Sequence, residues 1–134
     1  MRILRVDDRY IHGQVVAGWA RPLRIEVIIL ASDTISKDEW ACNAYKLAIP
    51  EGIKFSCVNI EQCITLVTKE NEKKLMIIVG SVREAHELLL AGLHVEKVNI
   101  GGVSLREGTR ENATYIHLTP DDIKSVVQLY EMGV

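Results

Sequence analysis

Two segments of this 134-residue chain are apolar at every position: Val27-Ile28-Ile29-Leu30 and Leu75-Met76-Ile77-Ile78-Val79. A strand with one wet face alternates apolar and polar residues, because successive side chains point to opposite sides. Short unbroken apolar runs fit strands covered on both faces, the condition of a parallel sheet held between helices. Strands are expected over 3–6, 24–31, 53–58, 75–79, 95–100 and 114–118, and apolar residues recur at helical spacing between them. Six strand–helix alternations, with no internal repeat, low-complexity segment or linker, predict a single domain over 1–134. The expected architecture is three-layer α/β/α with a mainly parallel six-stranded central sheet.

The helix boundaries follow from capping chemistry. Val15, Val16 and Trp19 give a helix over 12–20 one apolar face, and Pro22 disfavours helix at Arg21. Ser36-Lys37-Asp38-Glu39 is a capping-box pattern opening a helix through Trp40, Ala44, Leu47 and Ala48, ended by Pro50 and Gly52. Asn59 with Gln62 starts a helix through Ile64 and Val67, and 69–74 reads as a solvated turn. Ser81 and Glu84 launch the next helix through Ala85, Leu88 and Leu89, with Gly92 placed to stop it. The segment 103–112 reads as a polar loop carrying Arg106 and Arg110. Thr119-Pro120-Asp121-Asp122 combines a cap residue, a proline at the first helical position and acids in the first turn; the helix runs through Ile123, Val126, Val127 and Tyr130 to Gly133.

Function must come from the polar interruptions. The formal net charge is −2, so no basic field points to nucleic acid or an anionic membrane surface. No apolar run approaches the roughly 20 residues that cross a bilayer, and early Arg2, Arg5, Asp7 and Asp8 are unlike a secretory leader. Cys42, Cys57 and Cys63 lack metal-site or redox spacing. They read as reduced thiols of a cytoplasmic protein, with Cys57 and Cys63 as small buried hydrophobes. His86, His94 and His117 are scattered without ligand spacing, the serines lack a nucleophile elbow, and Gly101-Gly102 lacks a dinucleotide-binding context. A metal site and a dinucleotide site are therefore weak readings.

One stretch remains. After the first strand come Asp7-Asp8-Arg9-Tyr10-Ile11-His12-Gly13-Gln14, a polar loop with one histidine at the start of a helix. In an open α/β sheet that loop lies at the carboxyl edge, where ligands gather. A helix amino terminus disfavours positive charge beside it and offers backbone N–H groups to an anion such as phosphate. That suits His12 as an uncharged nucleophile. Gly13 lets backbone approach closely, and Arg9 can present a planar charged fork to phosphoryl oxygens. Asp7 or Asp8 could accept a hydrogen bond from the distal imidazole nitrogen or orient Arg9. Gly101-Gly102 reads as a bend that could wall the same site. A lone histidine after a strand is also a common loop or capping residue, and Arg9 could equally pair with Asp7 or Asp8.

The run Asp7-Asp8-Arg9-Tyr10-Ile11-His12-Gly13-Gln14-Val15, followed by Gly18-Trp19, closely resembles the active loop of the IIB components of the mannose/fructose/sorbose class of the bacterial phosphoenolpyruvate-dependent sugar phosphotransferase system. The resemblance continues through Asn99-Ile100-Gly101-Gly102, Glu107-Gly108 and Leu118-Thr119-Pro120-Asp121-Asp122. It implies that His12 is phosphorylated on Nδ1 by a histidine of a IIA protein or domain. The group would then pass to sugar bound by membrane IIC and IID subunits. Arg9 would stabilise the phosphoryl group, with Asp8, Gly13, Gln14, Gly101 and Gly102 supporting the loop. The implied activity is that of a protein-Nπ-phosphohistidine–sugar phosphotransferase acting as one component of a complex, with no metal or organic cofactor in the IIB step itself. The implied location is cytoplasmic and peripheral to the permease. Tyr10 stands where leucine is common in the family, and Val134 falls where members usually continue through a further strand and closing segment. A chain without that strand is expected to leave an apolar strand or helix face open, inviting a homodimer or reducing stability. The alternative is a non-catalytic regulatory or binding module that retains the fold.

Overall fold

The computed structural model describes residues 1–70, 73–104, 107–113 and 115–133. Strand β1 (Arg2–Asp7) leads into α1, whose first turn Gly13–Val15 is α-helical and whose continuation Val16–Ala20 is π-helical. Then follow β2 (Val27–Ala31), α2 (Glu39–Leu47), β3 (Lys54–Val58), α3 (Ile60–Lys69), β4 (Leu75–Val79), α4 (Val82–Leu90), β5 (Lys97–Gly102), β6 (Arg110–Ala113), β7 (Ile116–Leu118) and α5 (Pro120–Glu131). Five strands form one parallel sheet in the order β3-β2-β4-β1-β5.

Every residue of β2 and β4 is buried, as their unbroken apolar runs require. Side-chain alternation divides the core in two. Leu4, Val6, Ile29, Ile77 and Val79 face α3, α4 and α5, whereas Ile28, Leu30, Met76 and Ile78 face α1 and α2. The result is a three-layer α/β/α domain. Neighbouring strands β1 and β4 send their following helices to opposite faces, so the crevice between them opens at their carboxyl ends.

The expected six-stranded sheet is corrected to five strands plus a separate hairpin. The segment 116–118 does form a strand, but it pairs antiparallel with β6 and meets the main sheet through one bridge, Val103↔Ile116. Residues 110–113 are all exposed and polar enough to read as loop. Their ladder is instead satisfied by β7, which lies beyond the end of β5. Arg106, placed in the same expected loop, lies outside the described residues.

Helix starts were legible except at α2. Asn59, Ser81 and Thr119 cap α3, α4 and α5, each accepting a backbone N–H three residues on. At α2 the cap is Asp38, not Ser36, because 35–37 closes into a short 3₁₀ turn first. Trp40 and Leu47, two of the apolar residues that helix was expected to run through, are 84% and 89% exposed, and Cys42 and Tyr45 turn inward. Cys42 and Cys57 are not independent thiols: a disulfide joins α2 to the edge strand β3. Cys63 is free and buried, and burial pushes its thiol up to about 12. Helix α5 packs through Val126 and Leu129 and leaves Ile123, Val127 and Tyr130 exposed.

Candidate functional site

Strand alternation places Arg5 and Asp7 on the same face of β1, the face covered by α1. Both are buried. After Asp7 the chain turns sharply, the Tyr10 N–H donating to the Asp7 carbonyl at 2.9 Å, with Tyr10 in the left-handed region at φ 58°. A residue with a Cβ pays about 1–2 kcal/mol for that conformation. Packing offsets it. The Tyr10 ring meets Tyr45 edge-on at 5.7 Å, its hydroxyl reaches Ser32, and a Cβ at Gly80 would collide with that hydroxyl. Ile11 is buried in the core under α1.

The turn returns His12 over Asp7. His12 Nε2 lies 2.7 Å from Asp7 Oδ2, which also accepts from Arg5 Nη2 at 3.0 Å. The other oxygen, Oδ1, accepts the Arg9 backbone N–H at 3.0 Å and faces Arg9 Nε at 3.5 Å. Burial alone would raise the Asp7 carboxyl, but the hydrogen bonds from His12, the Arg9 backbone and Arg5 outweigh it and hold the pKa below its ordinary value. An ionised carboxylate can only accept. The proton of a neutral His12 therefore sits on Nε2, and Nδ1 carries the lone pair.

Of the two acids that sequence alone left undecided, Asp7 takes the imidazole. Asp8 accepts from the Ser104 backbone N–H at 2.7 Å and from its hydroxyl at 3.0 Å, tying the turn to the segment after β5. Arg9 is half exposed beside the shared carboxylate. Gly13 and Gln14 are exposed at the first turn of α1, where backbone N–H groups lack intrahelical partners, and nothing lies within 4 Å of a Cβ at Gly13. Gly102 lines the hollow beside Asp8 and Arg9, whereas Gly101 backs the site from within the sheet. A Cβ at Gly101 would fall on the Arg5 guanidinium, and one at Gly102 would stand 3.1 Å from Asp7 Oδ1.

Sequence reasoning passed over Arg5. Its signal was available: a charged residue inside the apolar run Ile3-Leu4-Arg5-Val6 of a central strand. His12 itself lines neither hollow beside the turn. One, of about 460 Å³, is bounded by Tyr10, Ser32, Ser81 and Glu84; the other, of about 230 Å³, by Arg9, Ser104, Tyr115 and His117. His117 Nδ1 lies 3.2 Å from the Val103 carbonyl. Among the described residues no group of three His, Cys, Asp or Glu could hold a metal, and no helix is long and apolar enough to cross a membrane.

The buried Asp7 carboxylate thus gathers His12 and Arg9 at the carboxyl edge of the sheet, and His12 stands outside both hollows. The chain belongs to the family of the PTS system sorbose subfamily IIB component, whose model matches residues 1–134. A sorbose-specific EIIB component of Lacticaseibacillus casei is 31% identical over 134 residues, covering 98% of this chain and 82% of that protein. The crystal structure of the IIBSor domain of the sorbose permease from Klebsiella pneumoniae superposes with a TM-score of 0.92 at 27% identity, covering 100% of this chain and 85% of that one. A mannose-specific EIIAB component of Escherichia coli strain K12 is 25% identical over 134 residues, covering 98% of this chain and 42% of that protein. Membership supports a phosphocarrier role in a sugar phosphotransferase system.

Proposed function

We propose that His12 Nδ1 accepts a phosphoryl group from a IIA histidine and delivers it to sugar held by the membrane IIC and IID subunits. The supporting observation is the 2.7 Å contact from Nε2 to buried Asp7, which leaves the second nitrogen as the nucleophile. In the first step the Nδ1 lone pair forms the N–P bond as the donor's N–P bond breaks, and no proton leaves Nδ1. The ring gains positive charge, which Asp7 offsets through Nε2–H. Arg9 presents its fork to the phosphoryl oxygens, and the first N–H groups of α1, from Gly13 and Gln14, add donors. In the second step a sugar hydroxyl attacks phosphorus and gives up its proton to solvent, while the N–P bond breaks and its pair returns to Nδ1. Transfer of this kind depends on positioning and charge more than on covalent chemistry.

His12 on an open edge, outside both hollows, suits a donor that is itself a protein side chain. The E. coli relative, named as an EIIAB component, carries both functions in one name. Asp8 supports the turn through Ser104, while Gly101 and Gly102 clear space for Arg5 and Asp7. The sugar is chosen by the membrane subunits. Incubation with phosphoenolpyruvate, enzyme I, the phosphocarrier HPr and a cognate IIA should give an acid-labile label, absent in His12→Ala. Stable labelling of folded His12→Ala would remove His12 as acceptor. A wild-type protein that stays unlabelled but binds a partner would establish the regulatory-module alternative instead.

A further inference from the structure

Arg5 sits at the middle of β1, between β4 and β5, with 4% of its surface exposed. Its fork spans two acceptors: Nη1 donates to Asn99 Oδ1 at 2.7 Å and Nη2 to Asp7 Oδ2 at 3.0 Å. Trp19 of α1 covers the guanidinium at 5.5 Å, and the buried Nε has no hydrogen-bond partner. Such an arrangement is poor value as a stabilising device. A buried ion pair rarely outperforms apolar residues of similar volume, and an unpaired buried donor costs more still. A strand of otherwise apolar residues would accept leucine or methionine here.

The neighbouring strand is shaped around this side chain. Arg5 pairs in register with Asn99 and Val6 with Ile100, but Asp7 pairs with Gly102, so Gly101 is an extra residue in β5. A bulge there brings backbone onto the guanidinium where only glycine fits. The same Asp7 oxygen that Arg5 holds is the one facing His12.

We infer that Arg5 is a positioning residue for His12: its guanidinium, seated between Asn99 and the Gly101 bulge, fixes the Asp7 carboxylate so that Nε2 keeps the proton and Nδ1 is presented for transfer. The consequence for transfer rests on His12 being the phosphoryl acceptor; the hold on the tautomer does not. Lysine cannot replace Arg5, because one ammonium cannot reproduce the planar span from Asn99 to Asp7.

Ring ¹⁵N NMR of the unphosphorylated full chain reads the His12 tautomer directly. Wild type should show the Nε2-protonated form. Arg5→Lys, Asn99→Ala and Gly101→Ala should each shift His12 toward a mixture with the Nδ1-protonated form. Phosphoryl transfer from phosphorylated IIA should fall about 10- to 100-fold, the loss usual when a partner orienting a functional histidine is removed. Asn99→Ala keeps Arg5 and the strand intact, so it decides the matter if Arg5→Lys fails to fold. Folded variants that retain the Nε2-protonated form and wild-type transfer would overturn the inference. A tautomer shift in the variants with no labelling of wild type would uphold the hold on Asp7 while discarding His12 as acceptor.

Discussion

Replacing Asp7 with asparagine keeps the volume of the side chain and removes only its charge. Asp7 receives hydrogen bonds from Arg5, the Arg9 backbone and His12, so one substitution touches three partners. Arg5 becomes a buried cation without a counter-charge, and breaking a buried pair from one side costs about 3–5 kcal/mol. For a domain of this size that lowers Tm by roughly 10–20 °C. The asparagine amide can also turn its NH₂ toward Nε2, which drives the imidazole proton to Nδ1 and removes the nucleophile. Transfer should fall on the order of 10²–10⁴-fold, the upper end matching the same substitution where an aspartate fixes a serine-protease histidine. Acid adds a further signature. The Asp7 carboxyl titrates below its ordinary value, so its stabilisation is complete above that value and is lost as pH falls through the lower folded pKa. Asp7→Asn lacks that limb, and its Tm deficit should narrow in acid. Differential scanning calorimetry against pH, with quench-flow labelling by phosphorylated IIA, measures both effects. A folded Asp7→Asn protein with wild-type transfer and an unchanged acid limb would refute the role assigned to the carboxylate.

Arg9→Lys should slow transfer yet leave Tm within a few degrees, because a half-exposed arginine contributes about 0–1 kcal/mol through its ion pair; equal rates would remove the fork from the mechanism. Glu70, held below its ordinary pKa chiefly by its bond from Lys54, lends stability that disappears as pH falls through its folded value. Glu70→Gln should therefore flatten the acid side of a Tm–pH curve without altering transfer, and an unchanged curve would contradict that. Ile77→Ala, at a fully buried position of β4, should cost about 2–5 kcal/mol in urea unfolding and leave the His12 tautomer as in wild type.

How far the fold could be read depended on whether burial was two-sided. The all-apolar runs of β2 and β4 announced a covered parallel sheet, and Asn59, Ser81 and Thr119 announced their helices by local capping chemistry. Where tertiary contact decides, periodicity gave no warning. The polar run 110–113 forms a strand only because β7 folds back on it, and α2 turns Trp40 outward because Tyr45 is held against Tyr10. The candidate site divides the same way. His12 and Arg9 stood out as a contiguous polar motif, but the choice of Asp7 over Asp8 needed the turn that brings residue 12 back over residue 7.

Gly101 shows why the least legible part lay in the sheet itself. On sequence, Gly101-Gly102 marks the end of a strand, and a bend wide enough to face a ligand follows naturally. In three dimensions the strand continues through both residues, and the first is the extra residue of a bulge. Its missing side chain makes room for a guanidinium arriving from β1, 96 residues earlier in the chain, and the second makes room for the carboxylate beside it. Gly101 therefore serves the site from behind and Gly102 from beside Arg9, each by what it leaves unfilled. The charge order at the open edge is set from the sheet interior outward, Asn99 to Arg5 to Asp7 to His12, with Arg9 on the opposite oxygen. A histidine ordered in this way needs no enclosing pocket, which suits the protein-to-protein transfer proposed above.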